Sequence, residues 1–220
     1  MNENMVREKT FNIKFWDKNA DKYSKSPIAD EVTYQKKLEL TRNHFTPDAK
    51  VLEFGCGTGS TAILHAPLVA HIEAIDLSTN MLAIAKQKAT TGQIKNIDFK
   101  HASINHYTAL DESFDVILGM SILHLLEDKE VVLKKIFDML KPGGVFISST
   151  ACIGEKMPFF KMLAPIGQFF RLMPIVKVFS VKQLKTSITE ASFEIDFKWL
   201  PKKSMAVFII AKKPNSALKE

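Results

Sequence analysis

The sequence predicts an α/β fold of three layers, a seven-stranded and mostly parallel sheet between helices. Three observations carry that expectation. Short apolar runs alternate with helical patterns from residue 50 to 150, the order produced by a buried parallel sheet covered on both faces. The first run passes directly into three glycines at alternate positions, Gly55, Gly57 and Gly59. Near the C-terminus the runs FEIDFKWL and MAVFIIAKK are joined only by PKKS, a link short enough to force an antiparallel pair at the end of the sheet.

Taken in order, residues 1–45 read as polar helices, with apolar spacing at Ile13, Phe15, Trp16, Ala20 and Tyr23, a break at Pro27, and a second helix over 30–45. Pro47-Asp48 is a turn, and KVLEFG is a short buried strand. Helical periodicity follows over 60–69, then the strand HIEAID at 71–76. LSTNMLAIAKQKAT opens a helix that Ser78 or Thr79 can cap. Strands are expected at 97–100, at FDVILG (114–119) and at VFISST (145–150). A helix over 128–140 is expected to stop at KPGG, and another covers 181–191. Residues 152–179 interrupt the alternation. Rich in Phe and Met and broken by Pro158, Pro165 and Pro174, they read as an inserted lid of short helices. The expected organisation is one domain over 1–220, with a helical cover (1–45), a core (46–151), the lid (152–179), and a C-terminal helix and hairpin (180–220).

Composition narrows the function classes. Hydrophobic content of 46% and charged content of 25% are ordinary for a globular chain. No apolar run approaches the length of a membrane span, and export by a signal peptide is not expected. Two cysteines, Cys56 and Cys152, have no metal-ligand spacing and point to thiols in a reducing, cytoplasmic setting. His65, His71, His101 and His106 suggest no metal site either. The net charge of +6 admits an anionic partner, yet the lysines are scattered and read mainly as solvated surface. No aromatic row interleaves with arginines, so no nucleic acid is expected as a partner.

A strand that ends in Gly-x-Gly-x-Gly and enters a helix brings bare main chain and unpaired amides toward a ligand. Asp76 lies at the end of the second strand, where an acid can accept both hydrogen bonds of a ribose diol. Capping the helix near Ser78 is the plainer role for it. Ser60 stands where a dinucleotide fingerprint needs glycine, and no Gly-Lys-Ser or Gly-Lys-Thr is present.

The stretch EFGCGTG resembles the first motif of class I S-adenosylmethionine-dependent methyltransferases. The acid in EAIDLS, the strand FDVILGMSILHLL, the stop LKPGG and the closing antiparallel strand resemble that family in the same order. The likeness is to small bacterial members of the methyltransferase 11 and 25 type groups, over about residues 45 to 150 and the hairpin. It implies a Rossmann-like fold, S-adenosyl-L-methionine as cofactor, S-adenosyl-L-homocysteine as product, and methyl transfer to O or N of a small, fairly hydrophobic acceptor.

The resemblance also implies roles. Glu53 would help hold the methionine amino group, against the plainer reading of a salt-bridged core acid. Gly55, Cys56, Gly57, Thr58 and Gly59 would form the cofactor turn, and Asp76, Leu77 and Met81 would follow on the ribose side. Ser103 stands where many members carry Asp for the adenine amine, and Ile104 would pack on the ring. Gly119 and Met120 would approach the methionine moiety. Tyr23 and Tyr34, in the cover, could reach the methionine carboxylate and the acceptor pocket, or simply pack. His124 is the candidate general base, beside the alternative that it only packs or orients a loop. Phe159, Phe160, Phe169 and Phe170 would roof the acceptor pocket. A lid lying on a lipid surface, with a phospholipid-type acceptor, is the competing expectation. So is a non-catalytic cofactor-binding regulator. A monomer or a homodimer fits equally.

Overall fold

β1, Lys50–Phe54, is buried at every position after its first residue, and Val51, Leu52 and Phe54 are almost wholly covered. A strand covered on both faces must have apolar residues at successive positions, and VLEF satisfies that at all but the acid. The computed structural model describes residues 3–156, 173–202 and 204–215. In it β1 is the centre of a seven-stranded sheet. β2 (His71–Asp76), β3 (Ile97–His101), β4 (Phe114–Met120), β5 (Leu140–Ala151), β6 (Glu194–Trp199) and β7 (Ala206–Lys212) complete it in the order β3-β2-β1-β4-β5-β7-β6. β1 to β5 are parallel, and β7 runs antiparallel to both β5 and β6. The expected hairpin is therefore real, and its second strand is inserted between the first and the parallel strands.

Helices cover both faces. α1 (Glu3–Lys25) and α2 (Glu31–Arg42) precede the sheet; α3 (Ser60–His65), α4 (Thr79–Thr91), α5 (Lys129–Met139) and α6 (Val181–Glu190) connect its strands. One core joins Leu52, Phe54, Ile117, Phe146 and Val207 to Leu133 and Ile136 of α5 and to Leu184 and Ile188 of α6. The opposite core joins Val51, Ile72, Leu118, Ile147 and Phe208 to Ala62 of α3 and Leu82 of α4, with Leu40 of α2 packed against it. Each fully buried large side chain of this kind contributes roughly 1.5–3 kcal/mol.

Polar side chains set the helix starts. Asp30 caps α2 by accepting from the Thr33 amide at 3.0 Å, and Asp128 caps α5 through the Val131 amide at 3.0 Å. Ser78, rather than Thr79, caps α4 by accepting from the Met81 amide at 3.1 Å. Ser180 and Gln183 form a reciprocal capping box on α6.

Two expectations are corrected. The helical stretch after the glycine turn ends at His65, and Ala66–Leu68 tightens into a 3-10 turn containing Pro67. The helix before KPGG stops where expected, but the strand expected at 145–150 begins earlier. The helix ends at Met139 and β5 begins at once with Leu140, which pairs with Phe114. The ladder then shifts register before Val116 meets Val145, and Gly143 supplies the φ of 75° that this irregularity demands.

Candidate functional site

The carboxyl ends of β1, β2, β4 and β5 meet under α1 and α2, and the glycine turn rises between them. Gly55, Gly57 and Gly59 all have positive φ, at 66°, 53° and 71°, but they serve different ends. A Cβ on Gly55 would lie 2.6 Å from the Ile122 side chain, and one on Gly59 would lie 2.8 Å from Ala85 and 2.9 Å from Phe99. Those two let protein pack on the turn. A Cβ on Gly57 would meet nothing within 4 Å, so Gly57 alone turns bare main chain toward open space. Gly57→Ala is expected to keep the fold, at about 1–2 kcal/mol for the left-handed backbone, while weakening ligand binding at the turn at least tenfold. Gly59→Ala must displace Ala85 and Phe99 and is expected to lower the melting temperature more than Gly57→Ala does. Thermal unfolding and calorimetric titration with S-adenosylhomocysteine read both effects.

Asp76 ends β2 and holds the turn in place. Its Oδ2 accepts from the Gly57 amide at 2.8 Å, and its Oδ1 accepts from the Ser78 amide at 2.8 Å. Each oxygen keeps a further lone pair for a ligand hydroxyl. Burial pushes the Asp76 pKa up, the amides of Ser78, Gly57 and Leu77 pull it down, and Asp17 adds to the rise. The Asp76 carboxylate thus organises the turn and the start of α4 together.

Glu53 lies on β1 beneath the turn, 2% exposed. Its Oε2 has no hydrogen-bond partner among the described residues. Burial, with a smaller contribution from Asp76, raises its pKa from the ordinary 4.5 to about 8. No salt bridge reaches it among the described residues, so the core ion pair considered for it is not formed. An unpartnered buried carboxyl costs free energy until a cation or donor arrives.

The cover brings two phenols to these acids. Tyr23 of α1 is 52% exposed and stacks edge-on against Trp16, 5.7 Å between ring centres. Crowding of its hydroxyl by protein, then Asp76 and Glu53, raise its pKa above 10.0. Burial raises the pKa of Tyr34, on α2; the Thr61 side chain opposes that rise and Glu53 adds to it. Sequence reasoning missed what fastens the cover. Asp17 Oδ1 accepts from Ser78 Oγ at 2.6 Å and from the Asn80 amide at 3.2 Å, and Asn80 Nδ2 donates to the Asp17 carbonyl at 3.0 Å. Farther up α1, the Asn12 side chain both donates to and accepts from the backbone of Ile175, at 3.1 and 2.7 Å.

The remaining expected residues fall as follows. Thr58 is buried, and its hydroxyl accepts from Lys88 Nζ at 3.1 Å. Cys56 is buried with its thiol pKa pushed well up, chiefly by burial and then by Glu53 and Asp76, which makes it a small packing residue rather than a reactive thiolate. Leu77 is half-buried and its carbonyl meets His101 Nε2 at 3.0 Å. Met81 is buried; Met120 is half-buried on β4 beside the second core. Ser103 Oγ lies 3.5 Å from Asn105 Oδ1, and Ile104 is packed in the first core with Leu52 and Phe54.

His124 sits in a 3-10 turn, Leu123–Leu125, after β4. Its Nδ1 is buried without a partner among the described residues, and burial lowers its pKa from 6.5 to about 4. The ring is therefore neutral at pH 7 and a weak proton acceptor. Its carbonyl accepts from the Lys177 amide at 2.7 Å. Phe159, Phe160, Phe169 and Phe170 lie outside the described residues. No group of three or more metal-ligating side chains occurs among the described residues, and no helix among them is long and apolar enough to cross a membrane.

Comparison with known proteins agrees with this architecture. A family model described as a methyltransferase domain matches residues 45–194. Phosphoethanolamine N-methyltransferase 1 of Arabidopsis thaliana is 36% identical over 129 residues, covering 55% of this chain and 26% of the relative. The chain spans about a quarter to a half of the curated relatives it first matches. The fold is shared with an S-adenosylmethionine dependent methyltransferase from Mesorhizobium loti, with TM-score 0.67, 18% identity and coverage of 80% of this chain and 96% of the other. It is shared equally with geranyl diphosphate C-methyltransferase from Streptomyces coelicolor A3(2), solved with Mg2+, geranyl diphosphate and S-adenosyl-L-homocysteine, at TM-score 0.67, 14% identity and coverage of 82% and 79%.

Proposed function

The chain belongs to the methyltransferase domain family, and from that premise we propose that it passes a methyl group to an O or N atom of a small, fairly hydrophobic molecule. Its methyl donor is S-adenosyl-L-methionine, which when bound supplies a methyl already activated on a sulfonium sulfur. The reading rests on one observation above all: an open cradle at Gly57, tied to Asp76 and lying over a buried, unpartnered Glu53.

The residues present fit that donor. Gly57 offers main chain that an adenosyl group can lie against. Asp76 has lone pairs left for the two ribose hydroxyls. Glu53 supplies a carboxylate for the methionine ammonium, and Tyr23 adds a hydroxyl beside both acids. Displacement at an activated methyl needs alignment more than acid–base help, and held geometry alone can supply several kcal/mol of barrier lowering. His124, neutral at pH 7, can accept a proton from the acceptor without first losing one, although its low basicity limits what this adds.

The test is incubation with S-adenosylmethionine carrying an isotopically labelled methyl group and a pool of small metabolites. Label is expected in a low-molecular-weight product, with S-adenosylhomocysteine formed in equal amount. Tight binding of S-adenosylhomocysteine without any labelled product would point instead to a non-catalytic regulator. Label found only in phospholipid would move the acceptor to a membrane surface.

A further inference from the structure

We propose that Lys37 and Ser149 form the receiving site for an anionic group, a carboxylate or phosphate, on the methyl acceptor; this rests on the methyl-transfer reading above. Lys37 lies on α2, half-buried, and its Nζ donates to Ser149 Oγ at 2.8 Å. Ser149 sits at the carboxyl end of β5 and is 3% exposed. The register puts this pair on the cofactor face. Glu53 pairs with Leu118, Met120 lies two residues on, and Met120 pairs with Ser149. Paired residues point to the same side of a sheet and alternate residues share a face, so Glu53, Met120 and Ser149 all face α2.

The ammonium has work left to do. It gives one proton to Ser149, and no carboxylate forms a salt bridge with it among the described residues. The hydroxyl that receives it keeps a proton of its own to donate. Tyr34, one helical turn earlier, presents a second hydroxyl on the same side of α2. Burial lowers the Lys37 pKa from its ordinary 10.5, and Asp30 opposes that; a bound anion would relieve the cost of holding the charge there. Structural roles for Lys37 are already met by its neighbours, since Leu38 and Thr41 are buried and Lys36 lies 4.8 Å over the Trp199 ring.

The acceptor is a better source of this anion than the cofactor's own carboxylate. β1 and β5 are separated by β4 and the two positions are offset by two residues, so Glu53 and Ser149 are about 12 Å apart at the usual strand spacing and rise. Neither Lys37 nor Glu53 shifts the other's pKa. In an α-amino acid the carboxyl carbon lies about 3 Å or less from the ammonium nitrogen. A methionine whose ammonium pairs with Glu53 therefore keeps its carboxylate near Glu53. The site thus has two poles, acidic over β1 for the cofactor and basic over β5 for the acceptor.

Inorganic phosphate is the probe. Protein saturated with S-adenosylhomocysteine is titrated with phosphate at constant ionic strength, by calorimetry and thermal shift. Phosphate is expected to bind the parent and Lys37→Arg within threefold of each other, and Lys37→Met and Ser149→Ala at least tenfold more weakly. S-adenosylhomocysteine affinity is expected to stay within twofold in all four. Equal phosphate binding by Lys37→Met, or none by the parent, overturns the proposal. A tenfold loss of S-adenosylhomocysteine affinity in Lys37→Met overturns it too and assigns the ammonium to the methionine carboxylate. Should the parent fail to bind S-adenosylhomocysteine, the methyl-transfer reading falls, while phosphate titration of ligand-free parent and Lys37→Met still decides whether Lys37 holds an anion.

Discussion

Asp76→Ala is expected to weaken S-adenosylhomocysteine binding by 100-fold or more while leaving the sheet assembled. Two ribose hydroxyls would lose a charged acceptor, and such bonds are worth about 1.5–3 kcal/mol each. The substitution also strips the acceptor from the Gly57 and Ser78 amides. The turn that presents open main chain would loosen as well, so the loss should exceed that of the ribose contacts alone. Asp76→Asn separates the two effects, because its amide oxygen can still accept from one backbone N–H. It should recover most of the thermal stability and only part of the affinity. Titration calorimetry and circular dichroism, run together, check this. An affinity within twofold of the parent for Asp76→Ala would remove the ribose role.

Binding should also release a proton through Glu53. In the ligand-free protein this carboxyl titrates at about 8, so at pH 7 it is mostly protonated. An incoming ammonium favours the carboxylate and pulls its pKa down. Cofactor affinity is therefore expected to rise with pH up to about 8 and then level off. At pH 7 close to one proton should leave per ligand bound, measurable by calorimetry in buffers of different ionisation enthalpy. Glu53→Gln should abolish that release, flatten the pH profile and cost about 10- to 100-fold in affinity, the worth of one charge-assisted bond. Stability follows the same linkage. The folded pKa lies above the unfolded value of 4.5, so Glu53's contribution is fullest below pH 4.5 and is lost as pH rises through 8. Ligand-free parent should lose melting temperature across that window, relative to Glu53→Gln. Zero proton release at pH 7 would mean that Glu53 meets no cation.

Much of the fold could be read from residue pattern because the central strands are covered on both faces. VLEF and FDVILG have almost no polar side, and the glycines after the first fix the direction of the chain. KPGG marked the end of α5 but hid the start of β5, because the same Pro and Gly residues form the kinked first part of that strand. No local signal marks a register shift that depends on β4 next door. The site was legible where chemistry and backbone coincide, at Gly57 and Asp76. It was opaque where a side chain acts by reaching another element. Lys37 looks like any lysine of an amphipathic helix, and its partner lies 112 positions away. Asp17 likewise reads as helix surface until Ser78 and Asn80 come to meet it.

The insertion of β7 between β5 and β6 has a consequence for biosynthesis. Residues 206–212 are made after the other six strands, yet they fill an interior place in the sheet. Until they leave the ribosome, β5 is a bare edge carrying Val145, Phe146 and Ile147, and β6 has nothing to join. Exposed apolar edges invite pairing with other chains. A nascent polypeptide halted before Ala206 would thus carry five paired strands with a sticky edge, and arrival of β7 covers that edge and recruits β6 in one step.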